Sequence, residues 1–481
     1  MKWLFEHQWH KRLFVTIEMP TPSESVPAMG NKLDKIISVR YIVAVFGLFA
    51  TIILLGVQLD LSIAAGAKDM VTTAKTRKKG GIFDVIKNWI PIFNNESCRS
   101  YPTMGGENGT VGFSEPLLQG PLLSSYFIGY MISQILLTFT IQKVSAKHVM
   151  ASSIFTHLLC LMLMSIADRW HCSLMIVVRI LEGVAGGAIF PTLHVFLANW
   201  APRNELNRMS CLIYSGASLG MAFSLLSYGY TLILGSITLL WVVVWLYYMK
   251  NTPNEQGLIG LSERNYINSS TGISKQSSVP WSQILTSAPF LTILAAHTCF
   301  NWGWYTFLIG TTSYIEHVHD FDTKGSFVAS IPFFTMWIFS LLLGKLLDAL
   351  CESETITTTV ARKIATFIAS VVPMICLLVL CFINDHPKAG GVIIGIGITC
   401  LGGSFCGFLI NHIDIAPNYA GTLMAITSAI ATIPALVVPV FISAVTQEDR
   451  KKGNVLMVKL TMMDVIVVSV LMDVLRAHTW H

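Results

Sequence analysis

The sequence predicts an all-α membrane protein with about twelve transmembrane helices arranged in two six-helix bundles. Composition is the first observation behind that reading: 53% of the 481 residues are hydrophobic and only 12% are charged, against about 25% charged in ordinary soluble domains. The second is periodic: apolar runs of ~20 residues recur, the length of helix that crosses the hydrocarbon of a bilayer. The third is the polar stretch Lys250–Ser282, which separates the runs into two groups. Runs this long exclude a transmembrane barrel, whose strands are about half that length. The net charge of +5 reads as basic bias in cytoplasmic loops. No basic cluster with interleaved aromatics points to nucleic acid.

Residues 1–40 read as a cytoplasmic tail, basic at Lys11, Arg12, Lys32, Lys35 and Arg40 and without the apolar core of a signal peptide. A first bundle is expected over 41–249. It opens with a span at Tyr41–Ala67 and a long loop, 68–116, whose sequons at Asn95 and Asn108 predict an extracellular or lumenal, glycosylated face. Arg77-Lys78-Lys79 in that loop opposes the assignment, as does Arg450-Lys451-Lys452 later in the chain, while Arg169, Lys324 and Lys388 fall singly in the other short outer loops. The positive-inside rule acts through short loops, however. There Lys143 and Lys147, Arg203 and Arg208, Lys250, Arg264 and Lys275, and Arg362 and Lys363 all fall on the side of the tail.

The next spans are Leu117–Ile141, Val149–Ala167 and Ser173–Trp200. An apolar hairpin follows, Met209–Tyr248, turning near Tyr228–Tyr230 and short for two crossings. A cytoplasmic linker is expected over 250–283, then a second bundle over 284–475 and a short tail over 476–481. Its spans are Ile284–Thr312, Phe327–Leu347, Ile364–Ile383, Gly391–Ile410, Gly421–Val445 and Val455–Leu475. The last is atypical, interrupted by Lys459, Asp464 and Asp473.

Arg179 is the central candidate. An arginine inside a span costs at least ~2.5 kcal/mol unless it has a partner or a watery cavity. Glu182 at i+3 is one such partner. A planar guanidinium also grips a carboxylate or phosphate with two parallel hydrogen bonds, which makes Arg179 a candidate anion contact. Both readings stand. In the seventh span His297, Asn301 and Tyr305 recur at i, i+4 and i+8, on one stripe. That stripe faces substrate or a neighbouring helix. Gln58 and Asp60 in the first span lie about 200° apart on the helix and cannot line one cavity. Asp60 is either solvated at the outer end or paired across to Arg179. Gly183 with Gly187 and Gly216 with Gly220 have the spacing of close-packing faces. The ten cysteines are scattered without metal-binding spacing. No nucleophile–base pair or phosphate loop stands out, so no enzyme activity, catalytic residue, metal or organic cofactor is expected.

One long motif then narrows the reading. The run Asn411-His412-Ile413-Asp414-Ile415-Ala416-Pro417-Asn418-Tyr419-Ala420-Gly421, with Ala431-Thr432-Ile433-Pro434, resembles the family of sodium–phosphate cotransporters, sialin and vesicular glutamate transporters in the major facilitator superfamily. The insect inorganic phosphate cotransporter branch is the nearest. Supporting pieces are Arg179-Ile180-Leu181-Glu182-Gly183, Phe190-Pro191 with His194, Trp200-Ala201-Pro202 with Glu205 and Arg208, and Asn301-Trp302-Gly303 with Tyr305. Leu261-Ser262-Glu263-Arg264 and Trp281 also match.

The resemblance implies the major facilitator fold and alternating-access symport of an organic or inorganic anion with Na⁺ or H⁺. It implies a monomer in the plasma membrane, with vesicular or lysosomal membranes as the other homes. Arg179 falls on the family's fourth-span arginine and Asp348 on its cytoplasmic acid after the eighth span. Arg179, Asn301, Tyr305 and His297 are the expected substrate contacts, and Glu182, Asp348, Asn411 and Asp414 the structural or gating residues. The chain departs from the family at Gln58 and Asp60, at Leu123, at Gly186 and in the loop Phe139–Ser145. Those departures keep a fold-retaining sensor, scaffold or decaying paralogue as the alternative.

Overall fold

The structure is a computed structural model that describes residues 38–66, 116–170, 172–226, 231–273, 278–318, 323–380, 382 and 387–438. The sequons at Asn95 and Asn108, the turn at Tyr228–Tyr230, the twelfth span, the tail 476–481 and all but residues 38–40 of the N-terminal tail lie outside these residues. So do the side chains of Gln58, Asp60 and Leu123.

In hydrocarbon every backbone N–H and C=O must be satisfied within the chain, so the apolar runs form helices. The first group comprises α1 (Val39–Gly66), α2 (Pro116–Thr140), α3 (Ala146–Trp170), α4 (Cys172–Gly187), α5 (Ile189–Trp200), α6 (Leu206–Tyr214), α7 (Gly216–Leu226) and α8 (Thr231–Tyr248). The linker carries α9 (Leu261–Thr271) and α10 (Trp281–Leu285). The second group comprises α11 (Ala288–Val318), α12 (Thr323–Glu352), α13 (Thr358–Leu380), α14 (Pro387–Leu401), α15 (Asn411–Ile415) and α16 (Ala420–Ala431).

Among the described residues, eight segments are long and apolar enough to cross a membrane, and α2 and α11 add helices of 25 and 31 residues. Outward faces are apolar: Leu240 and Leu342 are each 64% exposed, while Arg179, Glu182 and Arg362 are buried. That inside-out distribution suits a lipid solvent. The protein is a multi-pass membrane protein.

Among the described residues, several predicted spans are not continuous, the eleventh at Thr432 included. The fourth breaks at Ala188, between α4 and α5. Pro191 has no N–H to give the Gly187 carbonyl, so the ladder of hydrogen bonds fails there. The fifth starts earlier than predicted, at Leu206, and breaks at Ser215. The tenth leaves α-geometry after Leu401 for the 3₁₀ turns Gly402–Phe405 and Phe408–Ile410. Irregular backbone at this depth is tolerated because it is buried in protein, and Phe405, Phe408 and Ile410 are buried. Arg40, expected in the tail, sits in the first turn of α1, and the linker is partly helical.

Glycines set the closest crossings. A Cβ at Gly183 would strike the Tyr126 carbonyl of α2, and one at Gly220 the Ile52 carbonyl of α1. The stripes Gly183/Gly187 and Gly216/Gly220 are therefore close-packing faces, as their spacing predicts. Between the groups, α6 and α7 pack on α12, while α2 and α5 pack on α16. The candidate residues collect along these contacts.

Candidate functional site

Arg179 on α4 and Glu182 one turn later share one face, and Arg179 Nη1 donates to Glu182 Oε2 at 2.9 Å. Their exposures are 3% and 0%. His157 of α3 faces the pair, its Nε2 3.7 Å from Glu182 Oε1, too long for a hydrogen bond. Tyr126 of α2 is buried close by and feels both charges. Arg179 Nε, Glu182 Oε1 and the Tyr126 hydroxyl have no hydrogen-bond partner among the described residues. A buried polar atom left unpaired costs ≈1–3 kcal/mol, so this cluster has donors and an acceptor free for a ligand.

Aromatic rings border it. Tyr126 stacks on Tyr130 with centroids 5.9 Å apart and meets Phe127 edge-on at 5.4 Å. Phe127 in turn meets Tyr305 of α11 at 5.4 Å. Tyr305 thus reaches the Arg179 neighbourhood from the second group. Its stripe-mates do not. Asn301 Nδ2 donates to the Ala431 carbonyl at 2.8 Å, and His297 Nδ1 lies 3.2 Å from Thr427 Oγ1. The stripe lies along α16, whose Thr427 and Ala431 repeat at the same spacing. Sequence reasoning passed over His157, Tyr126 and Tyr130. A histidine within an apolar run was the available signal for the first, and the i, i+4 tyrosines for the others.

A second constellation lies at the linker end. Asp348 of α12 accepts the backbone N–H groups of Asn207 at 3.2 Å and Arg208 at 2.9 Å. Arg362 of α13 donates through Nε to Asp414 at 2.6 Å, through Nη1 to the Cys406 carbonyl at 3.1 Å, and to Asn207 Oδ1. Glu205 bridges Arg208 at 2.7 Å and Arg40 at 2.8 Å. Arg40 continues to Glu263 of α9 at 2.9 Å, and Glu263 also accepts the N–H groups of Val39 and Arg40. Partial burial and the Glu205 carboxylate raise the Tyr266 phenol above its ordinary value. Asp348 and Asp414 therefore belong to one network. Asn411 is buried nearby in sequence, and its Nδ2 has no hydrogen-bond partner among the described residues. Arg40, Glu205, Arg208 and Arg362 were not among the predicted site residues.

The profile of the Major Facilitator Superfamily matches residues 89–439. The chain belongs to that superfamily. Within it, human sialin is 30% identical over 428 residues, 86% of this chain and 84% of sialin. Human vesicular glutamate transporter 2 is 29% identical over 437 residues, 86% and 70% of the two chains. Two solved structures share the fold at 12% identity. They are the Escherichia coli fucose:proton symporter, with a TM-score of 0.57 over 91% of this chain and 98% of that one, and the human organic anion transporter MFSD10, with 0.59 over 90% and 99%. The family resemblance and the major facilitator fold read from the motifs are both borne out.

As a member of this superfamily the chain carries one departure with a visible cause. A side chain added at Gly186 would run into the Tyr126 hydroxyl and Leu54. Tyr126 occupies the space in which an acid at that position would sit, and among the described residues Glu182 is the carboxylate paired with Arg179.

Proposed function

We propose that the protein is a secondary active transporter of small organic or inorganic anions, working by alternating access, with Arg179 as the principal anion contact. The observation that carries this is the state of the Arg179 guanidinium. It is buried, and it lies near Tyr126, whose ring contacts run through Phe127 to Tyr305 of the second bundle. Among the described residues only its Nη1 is engaged, by a carboxylate that an anionic substrate can replace. In the empty carrier Glu182 neutralises Arg179, so the site crosses the bilayer at no net charge. An anion that takes the guanidinium leaves Glu182 unneutralised, and a net negative site is costly in low dielectric. A co-transported Na⁺ or H⁺ offsets that charge. The names of the relatives, sialin and a vesicular glutamate transporter, support carboxylate-bearing substrates. The linker-end network that ties the bundles together favours a working carrier over a sensor or scaffold that only retains the fold.

Radiolabelled phosphate, sialate, glutamate and urate are offered to wild-type and Arg179→Ala proteoliposomes, with and without a Na⁺ gradient. Wild type accumulates at least one anion, and the variant loses roughly 10- to 100-fold of that uptake, as expected for a charge-assisted pair worth ~1.5–3 kcal/mol. Equal uptake by the variant removes Arg179 from the role. Fluorescent tagging in intact cells then separates plasma membrane from vesicular or lysosomal residence.

A further inference from the structure

Three buried histidines that the anion site does not use meet where the bundles touch. His194 is on α5 of the first bundle, and His297 on α11 and His412 on α15 belong to the second. All are buried. Ring centroids are 5.5 Å apart for His194 and His412 and 6.4 Å for His297 and His412. The Leu409 carbonyl lies 2.9 Å from His194 Nε2 and 2.7 Å from His412 Nδ1. Thr427 Oγ1 lies 2.9 Å from His412 Nε2 and 3.2 Å from His297 Nδ1.

The partners determine where the hydrogens are. A carbonyl only accepts, so His412 Nδ1 carries one. His194 faces a carbonyl on each nitrogen, and the shorter contact, Leu409 at 2.9 Å, places its hydrogen on Nε2, with the Tyr214 hydroxyl available to donate to Nδ1. A neutral imidazole has a single N–H. His194 Nδ1 is therefore an acceptor, and the Tyr214 hydroxyl donates to it at 2.7 Å, with the Phe190 carbonyl also 3.1 Å away. By the same rule His412 Nε2 is an acceptor, and at 2.9 Å it takes the Thr427 hydroxyl hydrogen in preference to the Met424 carbonyl, 3.3 Å from Thr427 Oγ1. That uses the one hydrogen of Thr427, so His297 Nδ1–H donates to Thr427 Oγ1. His297 Nε2 keeps a lone pair with no hydrogen-bond partner among the described residues. No Asp, Glu, Lys or Arg among the described residues acts on the three rings; the titratable groups facing them are one another and Tyr214. Asp414, two residues beyond His412, is turned to Arg362.

We propose that His297, Thr427 and His412 form the proton-binding relay of this transporter, and that its protonation releases the tie from His194 and loosens the linker-side half of the bundle interface. This rests on the transport reading above and assigns its coupling ion. A proton adds to the lone pair of His297 Nε2. The Nδ1 hydrogen of His297 passes to Thr427 as the hydroxyl hydrogen of Thr427 passes to His412 Nε2. One proton enters, and the single positive charge moves from His297 to His412. Cationic His412 tightens on the Leu409 carbonyl through a charge-assisted bond, and the bond from His194 to that same oxygen weakens. A buried imidazolium without a carboxylate favours conformations that admit water. The proton leaves through that opening on the linker side. Histidine is the side chain whose ordinary titration lies in the range a cell can use.

Two measurements test this on the full chain. In Na⁺-free proteoliposomes, uptake of labelled sialate and phosphate is driven by a pH gradient and compared with anion exchange, which moves no net proton. Wild type accumulates anion under the gradient, and His297→Asn and Thr427→Val lose accumulation roughly tenfold more than they lose exchange. Variants that keep gradient-driven accumulation overturn the relay, and so does a wild type driven by Na⁺ and indifferent to pH. Absence of even exchange in wild type defeats the anion-transport reading instead. The relay is then judged without substrate, from modification of buried Cys211 and Cys406 normalised to a free thiol at each pH. Between about pH 8 and about pH 5.5 the wild-type rate rises several-fold while that of His297→Asn stays flat; a flat wild type overturns the proposal.

Discussion

Asp348 of the second bundle accepts the backbone N–H of Arg208 in the first at 2.9 Å, and its other oxygen takes the N–H of Asn207 at 3.2 Å. Both donors open α6, so a carboxylate meets the positive end of a helix dipole across the bundle boundary. Opening the linker side has to break this contact.

Asp348→Ala therefore destabilises the closed linker side. A charge-assisted hydrogen bond is worth ~1.5–3 kcal/mol net, so the open population rises between about 10- and 100-fold. The readout is the reactivity of buried Cys211 toward a membrane-impermeant thiol reagent. Asp348→Asn keeps an acceptor without the charge and gives a smaller rise. Unaltered Cys211 reactivity in Asp348→Ala means this contact does not hold the gate.

Arg362 is harder to replace. It is buried and donates to Asp414, Asn207 and the Cys406 carbonyl at once. Removing one partner of a buried pair costs ~3–5 kcal/mol because the other charge is stranded. Arg362→Ala lowers the melting temperature in detergent by several degrees. Arg362→Lys restores less than half of that loss, since an ammonium lacks the fork that reaches three acceptors. Recovery to wild-type stability with lysine would show that only the charge matters.

Backbone approach gives a prediction with its own control. Gly183→Val places carbon on the Tyr126 carbonyl, whereas a methyl at Gly303 meets nothing within 4 Å. The first change separates α2 from α4 and moves the Arg179 cluster, so folded yield and uptake both fall. Gly303→Ala leaves folded yield at the wild-type level. Size-exclusion profiles of the two variants in detergent decide it.

Much of this architecture was legible because a bilayer leaves a chain few options. Apolar runs of ~20 residues become helices wherever they occur. The Arg179–Glu182 pair was legible because it is local: i+3 on a helix guarantees proximity. Asp348 and Asp414 were reached through a resemblance and prove to share a network with Arg362. What stayed hidden is long-range. Nothing local to Arg362 names Asn207, 155 residues away, or ties His194 to Leu409, 215 residues away. His297 was grouped with Asn301 and Tyr305 because one helical stripe joins them. The stripe runs the length of α16 and passes through two different clusters, so a shared face did not mean a shared site. The break at Ala188 was available in the sequence, since Pro191 withholds the bond that a continuous helix needs.

Glu182 offers the sharpest test of how the anion site works. In the empty protein its carboxylate occupies Arg179 Nη1 at 2.9 Å, so a substrate anion competes with it for the guanidinium. Glu182→Gln keeps the shape and removes the charge. The competitor is then a neutral amide, and a neutral hydrogen bond is roughly half as strong as a charge-assisted one. KM for the transported anion falls about tenfold, the equivalent of ~1.4 kcal/mol. The empty variant pays for this in stability, because Arg179 is buried without a counter-charge. Its melting temperature in detergent drops, and saturating anion restores more of it than the same anion adds to wild type. A KM that stays constant or rises shows that Glu182 positions Arg179 for the anion without competing for it.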